Sequence, residues 1–125
     1  MNMKSEKLLP LGSVIYLKEG VIPLMIGIRQ PIVQLEKQCY FDYAGFSQIT
    51  GMNMDEIAYF NNEDISLVVA EGYTGEEEER VLQALKEWRD QNQDIPKGHV
   101  VKDEENINNV DSAKDENSDD VFFGF

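Results

Sequence analysis

Short runs of alternating apolar and polar residues, punctuated by glycine and proline, fill the first seventy positions, and one helical period follows them. Ser13-Val14-Ile15-Tyr16-Leu17 is rich in β-branched and aromatic residues, which predicts a first strand. Lys18-Glu19-Gly20 reads as a turn in which glycine takes the positive φ, and Leu24-Met25-Ile26-Gly27-Ile28 reads as the returning strand of a hairpin. Gly27 inside that strand predicts a bulge or sharp bend. Residues 32–38 form an ambiguous connection to a third strand, Cys39-Tyr40-Phe41-Asp42-Tyr43-Ala44-Gly45-Phe46. A period of two puts Phe41 with Tyr43 on one face and Tyr40, Asp42 and Ala44 on the other. Met52 to Phe60 is apolar at intervals and fits a strand or a helical turn equally.

Asn61-Asn62-Glu63-Asp64 offers side chains that cap backbone amides, predicting one helical turn that runs into a short buried strand at Leu67-Val68-Val69-Ala70. Thr74 and Glu77 have the spacing of a capping box ahead of a helix from Gly75 to Gln91. Val81, Leu85 and Trp88 fall at i, i+4 and i+7 with Leu82 and Ala84 beside them, so one stripe of that helix should pack on the sheet. The expected fold is α+β: a small, strongly bent antiparallel sheet or SH3-like barrel over residues 8–94, closed by a C-terminal helix. Residues 95–125 read as a disordered acidic tail, because their isolated apolar residues cannot offset the entropy of ordering the chain.

Charge narrows the function classes. The 125 residues hold 24 acidic and 11 basic side chains, a net charge of -13, which disfavours nucleic acid and anionic lipid as partners. Cys39 is the single cysteine, so no intramolecular disulfide and no paired-thiolate zinc site can form. Residues 1–7 lack the roughly 7–15-residue apolar core of a signal peptide, and the apolar run from Val21 to Ile28 is too short to cross a bilayer. Cytoplasmic residence without membrane insertion is the expectation.

Candidate chemistry is sparse. A nucleophilic Cys39 would need a base, and the one histidine, His99, falls in the expected tail. Glu76 to Glu79 fit the first turn of a helix, where negative charge meets the positive end of the helix dipole, with Glu76 placed to pair with Arg80. No glycine-rich phosphate loop and no calcium-loop spacing is present. An enzyme, a cofactor and a metal are therefore not expected. The aromatics around Tyr40 and Tyr43 suggest core packing or a protein-binding patch, since no basic groove accompanies them for nucleic acid. Val121, Phe122, Phe123 and Phe125, with Gly124 between, end an acidic segment otherwise poor in apolar residues. Such short apolar anchors dock on grooves or strand edges of a partner, or fold back on their own domain.

Leu9-Pro10-Leu11-Gly12-Ser13-Val14-Ile15-Tyr16-Leu17-Lys18-Glu19-Gly20, Leu24-Met25-Ile26, Tyr40-Phe41-Asp42-Tyr43-Ala44-Gly45, Tyr59-Phe60-Asn61-Asn62-Glu63-Asp64-Ile65 and Val68-Val69-Ala70-Glu71-Gly72-Tyr73 together resemble a family of small Gram-positive proteins. That family is a domain of unknown function encoded in type VII secretion loci beside effector toxins. The resemblance covers roughly residues 8–90 and supplies no catalytic residues. It implies a cytosolic accessory protein or chaperone that binds a secreted effector toxin and keeps it soluble or export-competent. An immunity protein that covers a basic toxin with its acidic surface is the alternative. Val121, Phe122, Phe123, Phe125, Tyr40 and Tyr43 are the expected partner-binding residues.

Overall fold

The computed structural model describes residues 7–100. β1 (Val14–Leu17) and β2 (Leu24–Arg29) pair as the expected antiparallel hairpin, with Val14 opposite Met25 and Ile15 opposite Leu24. The turn between them puts Glu19, not Gly20, in the left-handed region at φ 66°. The Gly20 amide donates to the Leu17 carbonyl at 2.9 Å, so the turn closes one residue earlier than the glycine suggests. The bulge expected at Gly27 is present as a register shift between Ile26 and Ile28.

The single third strand expected over residues 39–46 is two strands. β3 (Ile32–Gln34) and β4 (Gln38–Tyr40) form a separate hairpin, and β5 (Tyr43–Ser47) joins the main sheet beside β2. The break falls at Phe41-Asp42 because hydrogen bonds pull that backbone away from a ladder. The Phe41 amide donates to the Pro31 carbonyl at 3.0 Å and the Asp42 amide to Asn61 Oδ1 at 2.9 Å. Residues 52–60 resolve into both candidates in turn, a 3-10 turn at Met54–Glu56 and then β6 (Ala58–Phe60). The expected turn at Asn62–Asp64 leads into β7 (Ile65–Ala70), with the Asn61 amide donating to Asp64 Oδ2 at 2.9 Å.

The five-stranded sheet has the order β6-β5-β2-β1-β7 and is antiparallel throughout. One helix, α1 (Glu78–Gln91), follows it. The fold is the expected small α+β arrangement. The core is Ile15, Leu17, Leu24, Ile26, Tyr43, Ala58 and Phe60 from the sheet with Leu8 ahead of it, and Leu82 and Leu85 pack against it from α1. Of the expected stripe, Leu82 and Leu85 thus face inward, whereas Val81 is exposed. The Thr74/Glu77 capping box does not form. Glu77 is itself the N-cap with helical dihedrals and makes no side-chain cap bond, while the Glu78 amide finds the Gly75 carbonyl at 3.2 Å. Arg80 pairs with Glu77 at 3.0 Å instead of Glu76.

Residues 96–100, which composition assigned to the tail, are described and bonded. The Tyr40 amide donates to the Pro96 carbonyl at 3.0 Å and the Gly98 amide to the Tyr40 carbonyl at 2.7 Å, which lays this stretch parallel to β4. Asn61 Nδ2 holds the Gly98 carbonyl at 2.9 Å, and Lys97 Nζ reaches Asp42 Oδ2 at 3.1 Å. Val100 then packs against the core.

Candidate binding surface

The register fixes which side chains share a face, because residues directly opposite in an antiparallel pair point the same way. Ile15, Leu17, Leu24 and Ile26 point to the core, where α1 lies. Their neighbours in sequence therefore point to the opposite face. Across it run three rows: Val14 with Met25 and Phe46, Tyr16 with Leu67, and Ile28 with Ala44 and Tyr59. A solvated face of an antiparallel sheet ordinarily reads polar. Here the rows are apolar or aromatic, and all of these side chains except Ala44 keep surface in contact with solvent. The ring of Phe46 lies over Gly27, whose missing side chain makes that position possible: a Cβ there would sit 2.9 Å from Phe46 Cε2.

β7 ends this face and forms one edge of the sheet. It was expected to be buried and is the most exposed strand of the fold: Leu67, Val68 and Val69 retain 55%, 41% and 54% of their surface. The apolar run Leu67-Val68-Val69-Ala70 has the composition of a central strand, but among the described residues it has a strand neighbour only at β1. Two register shifts, between Val14 and Ile15 and between Tyr16 and Leu17, leave β7 with extra residues against its neighbour, which bends the edge.

A groove of about 490 Å³ runs beside the start of α1, lined by Leu11, Ile28, Tyr73, Val81 and Leu85 with Arg29, Glu77 and Glu78 among its polar neighbours. Ile28 belongs to both the groove and the outer sheet face, so the apolar surface is continuous. Arg29 is engaged within the protein. Its guanidinium pairs with Glu78 and donates from Nε to the Leu9 carbonyl at 2.9 Å, which fixes the chain ahead of β1 to β2 and to α1.

Of the residues expected to meet a partner, Tyr43 is wholly buried. Its hydroxyl accepts from the Leu9 amide at 2.8 Å and donates to Asn62 Oδ1, and its ring lies 5.5 Å from that of Phe60. It is a core residue with no surface to offer, and burial pushes its phenol up to about 12. Tyr40 is half-buried, with its ring edge-on to Trp88 of α1 at 5.6 Å. Val121, Phe122, Phe123 and Phe125 lie outside the described residues. Cys39 is buried in β4, and burial raises its thiol, opposite to what a reactive thiolate needs. Among the described residues no group of three or more His, Cys, Asp or Glu could hold a metal ion, and no helix is long and apolar enough to cross a membrane.

The outer face was legible in part. The alternation of Val14-Ile15-Tyr16-Leu17 and Leu24-Met25-Ile26 contains it, but both faces are apolar, so period alone did not say which one is covered. A family model described as a domain of unknown function (DUF4176) matches residues 8–81. No curated protein and no solved structure matches the chain.

Proposed function

Because the chain belongs to a family defined as a domain of unknown function, DUF4176, we propose from its surface that it is a non-catalytic protein-binding module, a cytosolic accessory protein or chaperone for an effector toxin exported by type VII secretion. The observation that supports this reading is the half-buried apolar face of the sheet, Val14, Tyr16, Met25, Phe46 and Tyr59, bordered by the exposed edge at Leu67, Val68 and Val69. Contiguous exposed apolar surface on a small domain marks an interaction site. The chain's net charge of -13 suits a basic partner and speeds encounter with one.

The test is co-expression of the full chain with the toxin encoded beside it, reading the toxin's soluble fraction and its co-purification. Tyr16→Lys and Met25→Lys place charge on the outer face, and each should reduce co-purification while leaving the far-UV circular dichroism unchanged. A toxin that stays soluble and is exported normally in a deletion strain refutes the accessory role. The acidic surface also favours a second reading, an immunity protein that covers the active site of a basic toxin. It requires this protein alone to rescue growth of cells making the toxin, which a chaperone need not do.

A further inference from the structure

The edge strand β7 has features that the outer face does not share, and they select a kind of partner. Its middle, Ser66-Leu67-Val68-Val69-Ala70, is uncharged and exposed, and among the described residues it has a ladder neighbour on one side only. An edge of this kind offers a row of unpaired backbone groups to an incoming strand. Acidic residues bracket it: Glu63 and Asp64 at the start, Glu71 at the end. Lys97 lies 3.6 Å from Glu63, which partly offsets the first pair, whereas Glu71 has no ion pair among the described residues and Glu76, Glu77, Glu78 and Glu79 follow it.

We propose that β7 accepts an extended apolar segment flanked by basic residues, which adds to the sheet as a sixth strand. The proposal rests on the protein-binding reading above and assigns the partner's chemistry. Charge complementarity decides between occupants. A second copy of β7 in antiparallel pairing would set Asp64 of one copy opposite Glu71 of the other at both ends, and like charges placed opposite one another destabilise a strand pair. The bulged, bent edge further disfavours pairing with its own kind. The chain's own Val121 to Phe125 is preceded by Asp119 and Asp120, so docking it on β7 would bring carboxylates to an edge already bracketed by them. An apolar strand with lysine or arginine at its ends satisfies both the backbone and the charges.

The test uses the full-length protein and three fluorescein-labelled peptides of equal length: Val-Thr-Val-Thr-Val flanked by two lysines at each end, the same core flanked by glutamates, and the lysine-flanked peptide with a central proline. Fluorescence anisotropy should show binding of the first peptide alone, weakening as salt is raised. Glu71→Lys should weaken that binding about two- to fivefold, the size expected of one exposed charge pair, and relieve the rejection of the glutamate-flanked peptide. Amide resonances of residues 65–70 should shift on titration, with those of Met25 and Phe46 unmoved.

Equal binding of all three peptides, or shifts confined to the outer face, overturns the proposal. So does a dimer of the free protein that Leu67→Lys dissociates, which makes a second copy the occupant. A tenfold gain in peptide affinity on removing residues 121–125 overturns it too, because the chain's own end is then the occupant. The two readings fail separately. A toxin bound with unchanged affinity by Glu71→Lys but lost by Tyr16→Lys refutes the edge and keeps the module, whereas an affinity unchanged in both variants refutes the module.

Discussion

Removing the carboxylate of Glu78 should cost more stability than any other single-charge deletion on α1. The Arg29 guanidinium it faces is 7% exposed and Glu78 itself 19%, whereas Lys86 and Asp90, one of the surface pairs of the same helix, are 59% and 60% exposed. Breaking a buried ion pair from one side leaves a charge without its counter-charge, which costs about 3–5 kcal/mol when burial is complete. Here Arg29 would keep the Leu9 carbonyl at 2.9 Å and the more distant Leu8 carbonyl at 3.4 Å, and the vacated side could admit water. The expected cost of Glu78→Ala is therefore lower, about 2–3 kcal/mol. A domain of this size loses about 4–8 °C of Tm per kcal/mol, so the shift is roughly 8–24 °C.

Asp90→Ala, by contrast, should cost about 0.3 kcal/mol, within the range of an exposed i,i+4 pair. Glu78→Gln should fall between the two, since the amide oxygen still accepts a hydrogen bond but brings no charge. Replacing both partners, Arg29→Met with Glu78→Leu, should recover only part of the loss, because the Leu8 and Leu9 carbonyls then lose their donor at about 1–3 kcal/mol for a buried polar group left unpaired. Thermal unfolding followed by circular dichroism at 222 nm reads all four. If Glu78→Ala is no worse than Asp90→Ala, the pair is not what fastens α1 and the chain ahead of β1 to the sheet.

Alkali should unfold the protein. Burial raises the Cys39 thiol and the Tyr43 phenol, the latter to about 12, and at Lys97 burial acts to lower the ammonium but the neighbouring Asp42 carboxylate outweighs it, leaving it raised. All three raised groups hold their protons to higher pH folded than unfolded, so stability falls from about pH 9, where a free thiol ionises, towards pH 12; a urea midpoint unchanged between pH 8 and 10.5 contradicts this. Gly98→Ala would bring a Cβ to 2.4 Å from Cζ and 2.6 Å from Cε1 of the wholly buried Phe41 ring, an overpacking worth about 1–3 kcal/mol. Faster hydrogen exchange at the Tyr40 and Gly98 amides should accompany it, and unchanged protection there means residues 96–100 are held by other contacts. Gly72→Ala should be worse, since its Cβ would fall 2.0 Å from the Leu11 carbonyl oxygen, backbone that cannot swing aside as a side-chain end can; an unchanged melting temperature refutes that.

What the sequence made legible follows the range over which each signal acts. The β1–β2 hairpin, the Gly27 bulge and the turn into β7 are set by residues within a few positions of one another, and each is found where local pattern puts it. The split of the third strand is not local. Asp42 leaves the ladder because Asn61, Asn62 and Lys97, far along the chain, supply its backbone and carboxylate with partners. The same long-range bonds explain why residues 96–100, polar and glycine-containing, are held: their backbone is satisfied by β4 and by Asn61 in place of a core of their own. Within the helix stripe, Val81 was misplaced for a similar reason. Glu78, polar and excluded from any apolar count, faces inward to Arg29, which turns Leu82 towards the core and Val81 towards the groove.

β7 shows how that distinction bears on function. An uninterrupted apolar run of this length predicts a central strand when the unit considered is the strand. Its exposure is decided by topology, by the absence among the described residues of a neighbour beyond it in the order β6-β5-β2-β1-β7. Exposing Leu67, Val68 and Val69 lowers solubility and invites association, and proteins usually blunt such edges with charge on the strand itself. Here the acidic residues stand at its two ends and the middle is bare. Bracketing of that kind repels copies of the same chain while leaving the backbone open to a strand of opposite charge, so one arrangement resists self-association and selects a basic partner. Charge reversal at Glu71 acts on both properties at once: it should weaken the lysine-flanked peptide and also make the free protein more prone to self-associate, measurable by sedimentation velocity. A variant that loses the peptide without gaining any tendency to self-associate would show that the acidic bracket governs partner choice alone.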